Sequence, residues 1–131
     1  MTVADYQTNY TKAARRHWDA AEELPSKCRS VAGYLYGVAG ECAVKSIMKR
    51  VGIEEMPDDK RSDPYYAHYP YLANRLRERI NGRGAAELNQ FAVPNYFNNW
   101  NTDMRYSDGS LISAEVLSVW RENAERALAN V

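Results

Sequence analysis

Residues 31–50, VAGYLYGVAGECAVKSIMKR, decide the fold of this chain. At helical spacing, one face of the stretch carries six small or apolar residues: Val31, Leu35, Val38, Ala39, Cys42 and Ser46. Further apolar groups, at Val44, Ile47 and Met48, lie on the opposite flanks. A helix that is apolar on several sides is normally buried. We therefore expect this stretch to form the central helix of the protein.

The same stretch is rich in small residues, which are Ala32, Gly33, Gly37, Ala39, Gly40 and Ala43. Interior glycines each lower helix stability by about 1 kcal/mol relative to alanine, a cost that is tolerated inside a packed bundle. Glu41 and Lys45 lie one turn apart, in the order that favours an ion pair, and they interrupt the apolar stretch before it could span a bilayer. These charges indicate a core helix rather than a membrane anchor. The pair itself would either line a pocket or form an ion pair on the surface.

The composition of the chain limits the classes of protein and of ligand that it can fit. The chain has 131 residues, which fits one domain over residues 1–131, and 17 basic residues balance 17 acidic ones. A net charge of zero gives no global attraction to nucleic acid or to an anionic membrane, so any such surface must be local. Cys28 and Cys42 belong to no CxxC or Cys/His pattern. We expect reduced thiols, no metal, no cofactor, no signal peptide and a cytoplasmic protein.

The remaining helices are predicted on both sides of the central one. An amphipathic stripe predicts a first helix over about residues 5–24, which Pro25 ends, and Ser26 is placed to cap the next helix. The short turn between them predicts antiparallel packing. Residues 53–66 contain two prolines and many charges, and they indicate an exposed loop.

Helical periodicity returns later in the sequence. It predicts a third helix from about Tyr69 to Ile80, a turn at the NGRG sequence, and a further helical piece within residues 85–93. A last helix, capped by Ser110 or Ser113, runs to about residue 130. No stretch alternates with a period of two. The predicted fold is all-α, an antiparallel bundle of four to five helices.

The order of these segments resembles the HEPN domain family, whose name refers to a nucleotide-binding domain of higher eukaryotes and prokaryotes. The most specific part is the sequence ECAVK, residues 41–45, in the small-residue-rich second helix. The sequence HYPYL begins at His68, and a W-x-x-x-x-R-Y pattern ends at Arg105 and Tyr106, before the last helix. The resemblance covers most of the chain and implies a HEPN-like helical bundle that commonly dimerises.

Many members of that family cleave RNA without a metal, using an Arg and a later His, with about four to six residues between them, for charge stabilisation and proton transfer. Here Arg105 matches the Arg, but none of residues 106–112 is a His. Because an Arg stays protonated at neutral pH and cannot transfer protons as an acid–base catalyst, the resemblance favours a catalytically degenerate module that binds RNA, a nucleotide or a protein partner encoded nearby. Family habit suggests a homodimer in a bacterial defence or toxin–antitoxin system.

Two other functions remain open. The first is a metal-independent endoribonuclease in which Arg105 works with His17 or His68. His17 lies in the apolar stripe of the first helix, where a hydrogen-bonded core histidine is the simpler interpretation. The second is a structural subunit whose tyrosine-rich faces bind another polypeptide.

Candidate binding residues are few and local. Arg105 and Tyr106 precede the last helix, where an anion is favoured, although Arg105 would equally serve as a tether to a carboxylate of the bundle. Residues 60–83 combine six basic residues, Arg75 and Arg79 among them, with four tyrosines. Cations and aromatic rings together resemble an RNA-facing surface, and a solvated helix face is the alternative.

Overall fold

The computed structural model describes residues 8–80 and 82–131, apart from the side chain of Arg83, and none of the described residues lies in a strand. Five α-helices follow one another: α1 Tyr10–Glu23, α2 Arg29–Arg50, α3 Tyr71–Arg79, α4 Gly82–Leu88 and α5 Ala114–Ala129. The all-α prediction of four to five helices is confirmed. Residue 5, the predicted start of the first helix, lies outside the described residues.

Helices α1 and α2 pack along each other in opposite directions. Near the start of α1, the hydroxyls of Thr11 and Ser46 are 2.6 Å apart, and near its end the Tyr36 hydroxyl donates to Glu22 over 2.9 Å. Residues early in α1 therefore meet residues late in α2. Asn9 begins α1 by accepting a hydrogen bond from a backbone N–H, which satisfies one of the free donors of the first turn.

The predicted cap at Ser26 is wrong. A short 3₁₀ turn, Ser26–Cys28, lies between α1 and α2, and α2 begins at Arg29 without a side-chain cap. The turn is closed by a 2.9 Å bond from the Cys28 N–H to the carbonyl of Pro25. Because the chain uses this extra turn to reverse direction, Ser26 lies two residues before Cys28, the N-cap position of α2.

Helix α2 is central, as predicted, and one side of it packs against aromatic rings. We call this side the glycine face, defined by Gly33, Gly37 and Gly40. A ring occupies the place of each missing side chain: Trp120 at Gly33, Trp100 at Gly37 and Phe97 at Gly40. The Trp100 indole N–H also donates to the carbonyl of Gly33 over 3.1 Å. Val31, expected on the buried side, is 51% exposed because it lies in the first turn of α2, ahead of these rings.

Helix α5 covers the glycine face and runs in the same direction as α2. Trp120 lies at Gly33, and the Cα of Ala124, one turn later, lies 3.5 Å from where a Cβ on Gly40 would be. Helices α1 and α2 are thus antiparallel, whereas α2 and α5 are parallel. They are parallel because the long connection before α5 returns the chain to the end where α2 begins. The Ser113 hydroxyl caps α5 by accepting from the Val116 N–H over 3.1 Å, as one of the two predicted caps.

Three residues of the segment predicted as an exposed loop are buried: Asp63, Pro64 and Tyr65. Asp63 is almost inaccessible to solvent, and its two carboxylate oxygens each accept a 2.9 Å bond, from the N–H groups of Met56 and Tyr65. The Tyr65 hydroxyl donates to the carbonyl of Ile53 over 2.6 Å. A short 3₁₀ turn, Pro64–Tyr66, follows the carboxylate. The prediction of an exposed loop is wrong at these residues. The many charges of the segment suggest exposure, but one of them, Asp63, is buried and holds the backbone through hydrogen bonds.

Helix α4 begins inside the sequence NGRG, which was predicted to be a turn. Gly82, its first residue, has a φ of +51°, a conformation that side chains disfavour. The chain therefore turns at Gly82 and enters a helix at once. None of the helices described here is long and apolar enough to cross a membrane.

Candidate functional site

A charged pair is buried in the middle of α2. The Lys45 ammonium lies 2.9 Å from Oε2 of Glu41, and the two residues are only 4% and 7% exposed. The predicted ion pair is present, but not on the surface, because neighbouring segments cover this part of the helix. Burying charges costs free energy unless each one finds partners, so this pair needs further polar contacts.

His68 supplies one of these contacts. Its Nδ1 lies 3.1 Å and 3.0 Å from the two carboxylate oxygens of Glu41, across 27 residues of sequence. The His68 side chain is 54% exposed, so one edge of the imidazole contacts a buried carboxylate while the ring remains open to solvent. The backbone of His68 is held too, because its carbonyl accepts a 2.9 Å bond from the Leu72 N–H in α3.

The exposed side of His68 faces a cavity of about 300 Å³. We call it the cationic cavity and define it by Lys60, Arg61, Tyr66, His68, Tyr71 and Arg75. Asn101 and Thr102 close another side of it. Three separate parts of the chain therefore meet here: the segment before α3, α3 itself and the connection that follows Trp100.

The cations of this cavity are largely uncompensated. Among the residues that the structure describes, no carboxylate forms an ion pair with Lys60 or Arg61. Arg75 lies 3.6 Å from Glu78, at the edge of α3, where solvent weakens the interaction. The cavity is therefore a local positive region on a chain whose total charge is zero.

Aromatic rings accompany these charges. Tyr66 and Tyr71 are both more than half exposed, and the Lys60 ammonium lies 5.2 Å from the centre of the Tyr66 ring. Exposed rings beside cations are the arrangement in which single-stranded nucleic acids stack their bases and pair their phosphates. The cavity can thus contact both parts of a nucleotide.

The structure brings together some of the predicted binding residues. Arg75 lines the cationic cavity, and Glu41 and Lys45 reach it through His68. Arg79 does not line it. Its guanidinium lies 2.8 Å from the sulfur of Met56 and donates to the carbonyl of Glu54 over 3.2 Å, so Arg79 fastens the preceding loop to α3.

Arg105 and Tyr106 form a separate surface. They lie at the end of a 3₁₀ turn, Thr102–Tyr106, and the Arg105 guanidinium is 5.0 Å from the centre of the exposed Tyr106 ring. A hydrogen bond with the Tyr34 side chain raises the pKa of Arg105. Arg105 is separated from α5 by residues 106–113, and the first turn of α5 is capped by its own Ser113.

His17 interacts within its own helix. Its Nδ1 lies 2.7 Å from the carbonyl of Ala13, and the side chain is half-buried. Arg105 contacts Tyr34 and Tyr106 instead, and no hydrogen bond joins His17 to Arg105. His68, in contrast, lines the cationic cavity.

Asn101 and Thr102 line the cationic cavity but were not predicted from the sequence. The signal that leads to them is their neighbour Trp100, whose ring fills the space at Gly37 and whose indole N–H bonds to α2. Anchoring Trp100 fixes the next two residues at the cavity. The sequence alone does not show which aromatic ring packs against which glycine.

No group of three or more His, Cys, Asp or Glu side chains in the described part of the chain could hold a metal ion. Comparison with protein-family models, with curated proteins and with solved structures finds no match.

Proposed function

We propose that this chain is a HEPN-like RNA-binding module that holds single-stranded RNA at the cationic cavity. The observation that supports this is the meeting of Lys60, Arg61 and Arg75 with two exposed tyrosine rings around one cavity. Cations attract the phosphates, while the rings offer faces on which bases of any sequence can stack. Binding without cleavage agrees with the missing histidine after Arg105.

The size of the cavity favours single strands over a duplex. A volume of about 300 Å³ is at the lower limit of small-ligand pockets and suits one nucleotide rather than a helical groove. Three phosphate-pairing cations predict that the logarithm of the binding constant falls with the logarithm of salt concentration with a slope of about −2. Binding should therefore be modest and clearly dependent on salt.

The test is a fluorescence anisotropy titration of labelled oligouridine at several salt concentrations. The variant Lys60→Gln/Arg61→Gln/Arg75→Gln should bind more weakly and show a shallower salt slope. A matched control, Lys12→Gln/Arg15→Gln/Arg16→Gln, removes the same charge from exposed positions of α1. Equal weakening by both variants would show only nonspecific attraction and would contradict the proposal.

A second candidate function, a metal-independent endoribonuclease, is favoured by one observation. The buried Glu41 carboxylate holds Nδ1 of His68 at the cavity, as a carboxylate does when it orients a catalytic imidazole. Cleavage of RNA but not of its 2′-deoxy analogue, lost in His68→Gln with binding retained, would support this function. Loss of cleavage in Arg105→Ala would instead place the reaction at the Arg105 surface.

The homodimer and the role in a bacterial defence or toxin–antitoxin system are further parts of the proposal, and both rest on the HEPN resemblance. Light scattering on the purified chain measures the oligomer directly. If no RNA binds and a second polypeptide co-purifies at fixed stoichiometry, the structural-subunit alternative replaces the RNA-binding proposal.

A further inference from the structure

A second cavity lies on the other side of Tyr66. It has a volume of about 590 Å³, and its lining includes Thr11, Ser46, Lys49, Tyr65 and Tyr66. We call it the polar cavity. Tyr66 lines both cavities, so the two are neighbours that meet at this residue.

The two cavities differ in charge. In the polar cavity the Lys49 ammonium is paired with Glu55 and lies 4.6 Å from the centre of the Tyr65 ring. Both carboxylate oxygens of Asp63, at the rim, accept backbone N–H bonds. The charges here are therefore compensated within the protein, and a phosphate gains little by entering.

The remaining lining suits a neutral polar group. Thr11 and Ser46 line the cavity with hydroxyls that bond to each other over 2.6 Å and keep further acceptor capacity, while the rings of Tyr10 and Tyr65 are stacked with centres 5.9 Å apart and an interplanar angle of 19°. Burial raises the pKa of both tyrosine hydroxyls, so they stay protonated. Hydroxyls and aromatic faces are the groups that contact a ribose and a nucleobase.

We propose that the RNA ligand extends across Tyr66, with a phosphate in the cationic cavity and the adjoining nucleoside in the polar cavity. The smallest ligand that uses the whole site is then a dinucleotide, and Tyr66 is the residue that separates the two subsites. This inference rests on the proposed function, because it assigns a second part of the same RNA ligand.

Isothermal titration calorimetry with UMP and with 5′-phosphorylated UpU tests the inference. The dinucleotide should bind at least about fivefold more tightly than UMP, because it adds one stacked base. Tyr66→Ala and Thr11→Val should reduce this ratio. Tyr71→Ala is the matched control: Tyr71 lines only the cationic cavity, so its loss should weaken both ligands by the same factor and leave the ratio unchanged.

The outcomes separate the inference from the proposed function. Equal affinities for UMP and the dinucleotide, both weakened by the triple cation variant, would leave RNA binding standing and overturn the second subsite. An unchanged ratio in both Tyr66→Ala and Thr11→Val would overturn it as well. If neither ligand binds, the proposed function fails and the inference fails with it. Thermal unfolding of Tyr66→Ala, whose side chain is largely exposed, checks that the variant is folded.

Discussion

The two sides of α2 have opposite characters. On the glycine face, three glycines admit the rings of Trp100, Phe97 and Trp120. On a neighbouring side the same helix buries Glu41 and Lys45, and their polar contacts continue to His68 and the cationic cavity. One side is filled by shape and the other is organised by charge.

This difference separates stability from function. Close packing of rings against a backbone tolerates almost no added volume, since protein interiors are packed as densely as organic crystals. The charged side, in contrast, costs free energy to bury and is retained where it positions a group that solvent or a ligand can reach. We therefore expect substitutions on the glycine face to act on folding, and substitutions around the cationic cavity to act on binding.

The largest expected effect comes from Gly37→Ala. A Cβ at this position would lie 1.9 Å from a ring carbon of Trp100, which is buried and bonded to the backbone of α2. The free energy of unfolding should fall by about 3 kcal/mol or more, despite the better helix propensity of alanine. Urea denaturation measures the change.

Gly84→Ala is the matched control for this substitution. The nearest neighbour of its added Cβ would be a Val51 methyl at 3.7 Å, an ordinary contact. Its stability should stay within about 1 kcal/mol of the parent. Equal losses in the two variants would show that the glycine face has no special packing and would remove one half of the comparison.

A smaller loss is expected from Lys45→Met, which leaves the Glu41 carboxylate buried without its ammonium partner. An uncompensated buried charge costs about 3–5 kcal/mol, and the remaining contact with His68 should reduce the loss to about 2–3 kcal/mol. The double variant Glu41→Leu/Lys45→Met should recover most of it. A double variant less stable than Lys45→Met would contradict a pairing role for Glu41.

At the cationic cavity the expected effect moves from stability to affinity. The triple variant Lys60→Gln/Arg61→Gln/Arg75→Gln should weaken binding of oligouridine by about tenfold, or 1.4 kcal/mol, at low salt. Its thermal midpoint should remain close to that of the parent, because two of these cations have no ion-pair partner in the described part of the chain. A large drop in stability with unchanged affinity would contradict the assignment of the cationic cavity to binding rather than to folding.

The smallest effect concerns the exposed pair of Glu22 and Arg121, which lies away from both sides of α2. The side-chain bond with Arg121 lowers the pKa of Glu22 in the folded protein. A lowered folded pKa gives stability that is present above the unfolded value of about 4.5 and is lost as the pH falls through the folded pKa. Arg121→Ala should therefore cost at most about 1 kcal/mol at pH 7 and less at pH 3. Unfolding curves at both values measure this dependence.

The sequence predicts the core well because the core follows helical spacing. The small residues of α2, the cap at Ser113 and the apolar stripe of α5 are local patterns, and each one has its counterpart in the structure. The errors arise where neighbours decide the outcome. Ser26 fails as a cap because a turn intervenes, and Asp63 is buried where the loop folds back so that the N–H groups of Met56 and Tyr65 bond to it.

The candidate site is harder to predict for the same reason. Glu41 and His68 are separated by 27 residues, and no periodicity links them. The sequence indicates a cluster of cations and tyrosines over residues 60–83, but the structure selects Arg75 for the cavity and directs Arg79 to Met56. Asn101 and Thr102 join the cavity only because Trp100 docks against Gly37. Tertiary packing determines which of these residues reach the cavity, and the spacing of residues along the sequence does not reveal it.

The most direct test is an NMR titration of the ¹⁵N-labelled protein with oligouridine. Binding at the cationic cavity predicts chemical-shift changes for residues 60–71, Arg75, Asn101 and Thr102, with His17 and the Arg105 surface unaffected. Changes centred on Arg105 and Tyr106, or no changes at RNA concentrations that saturate the anisotropy signal, would contradict the account.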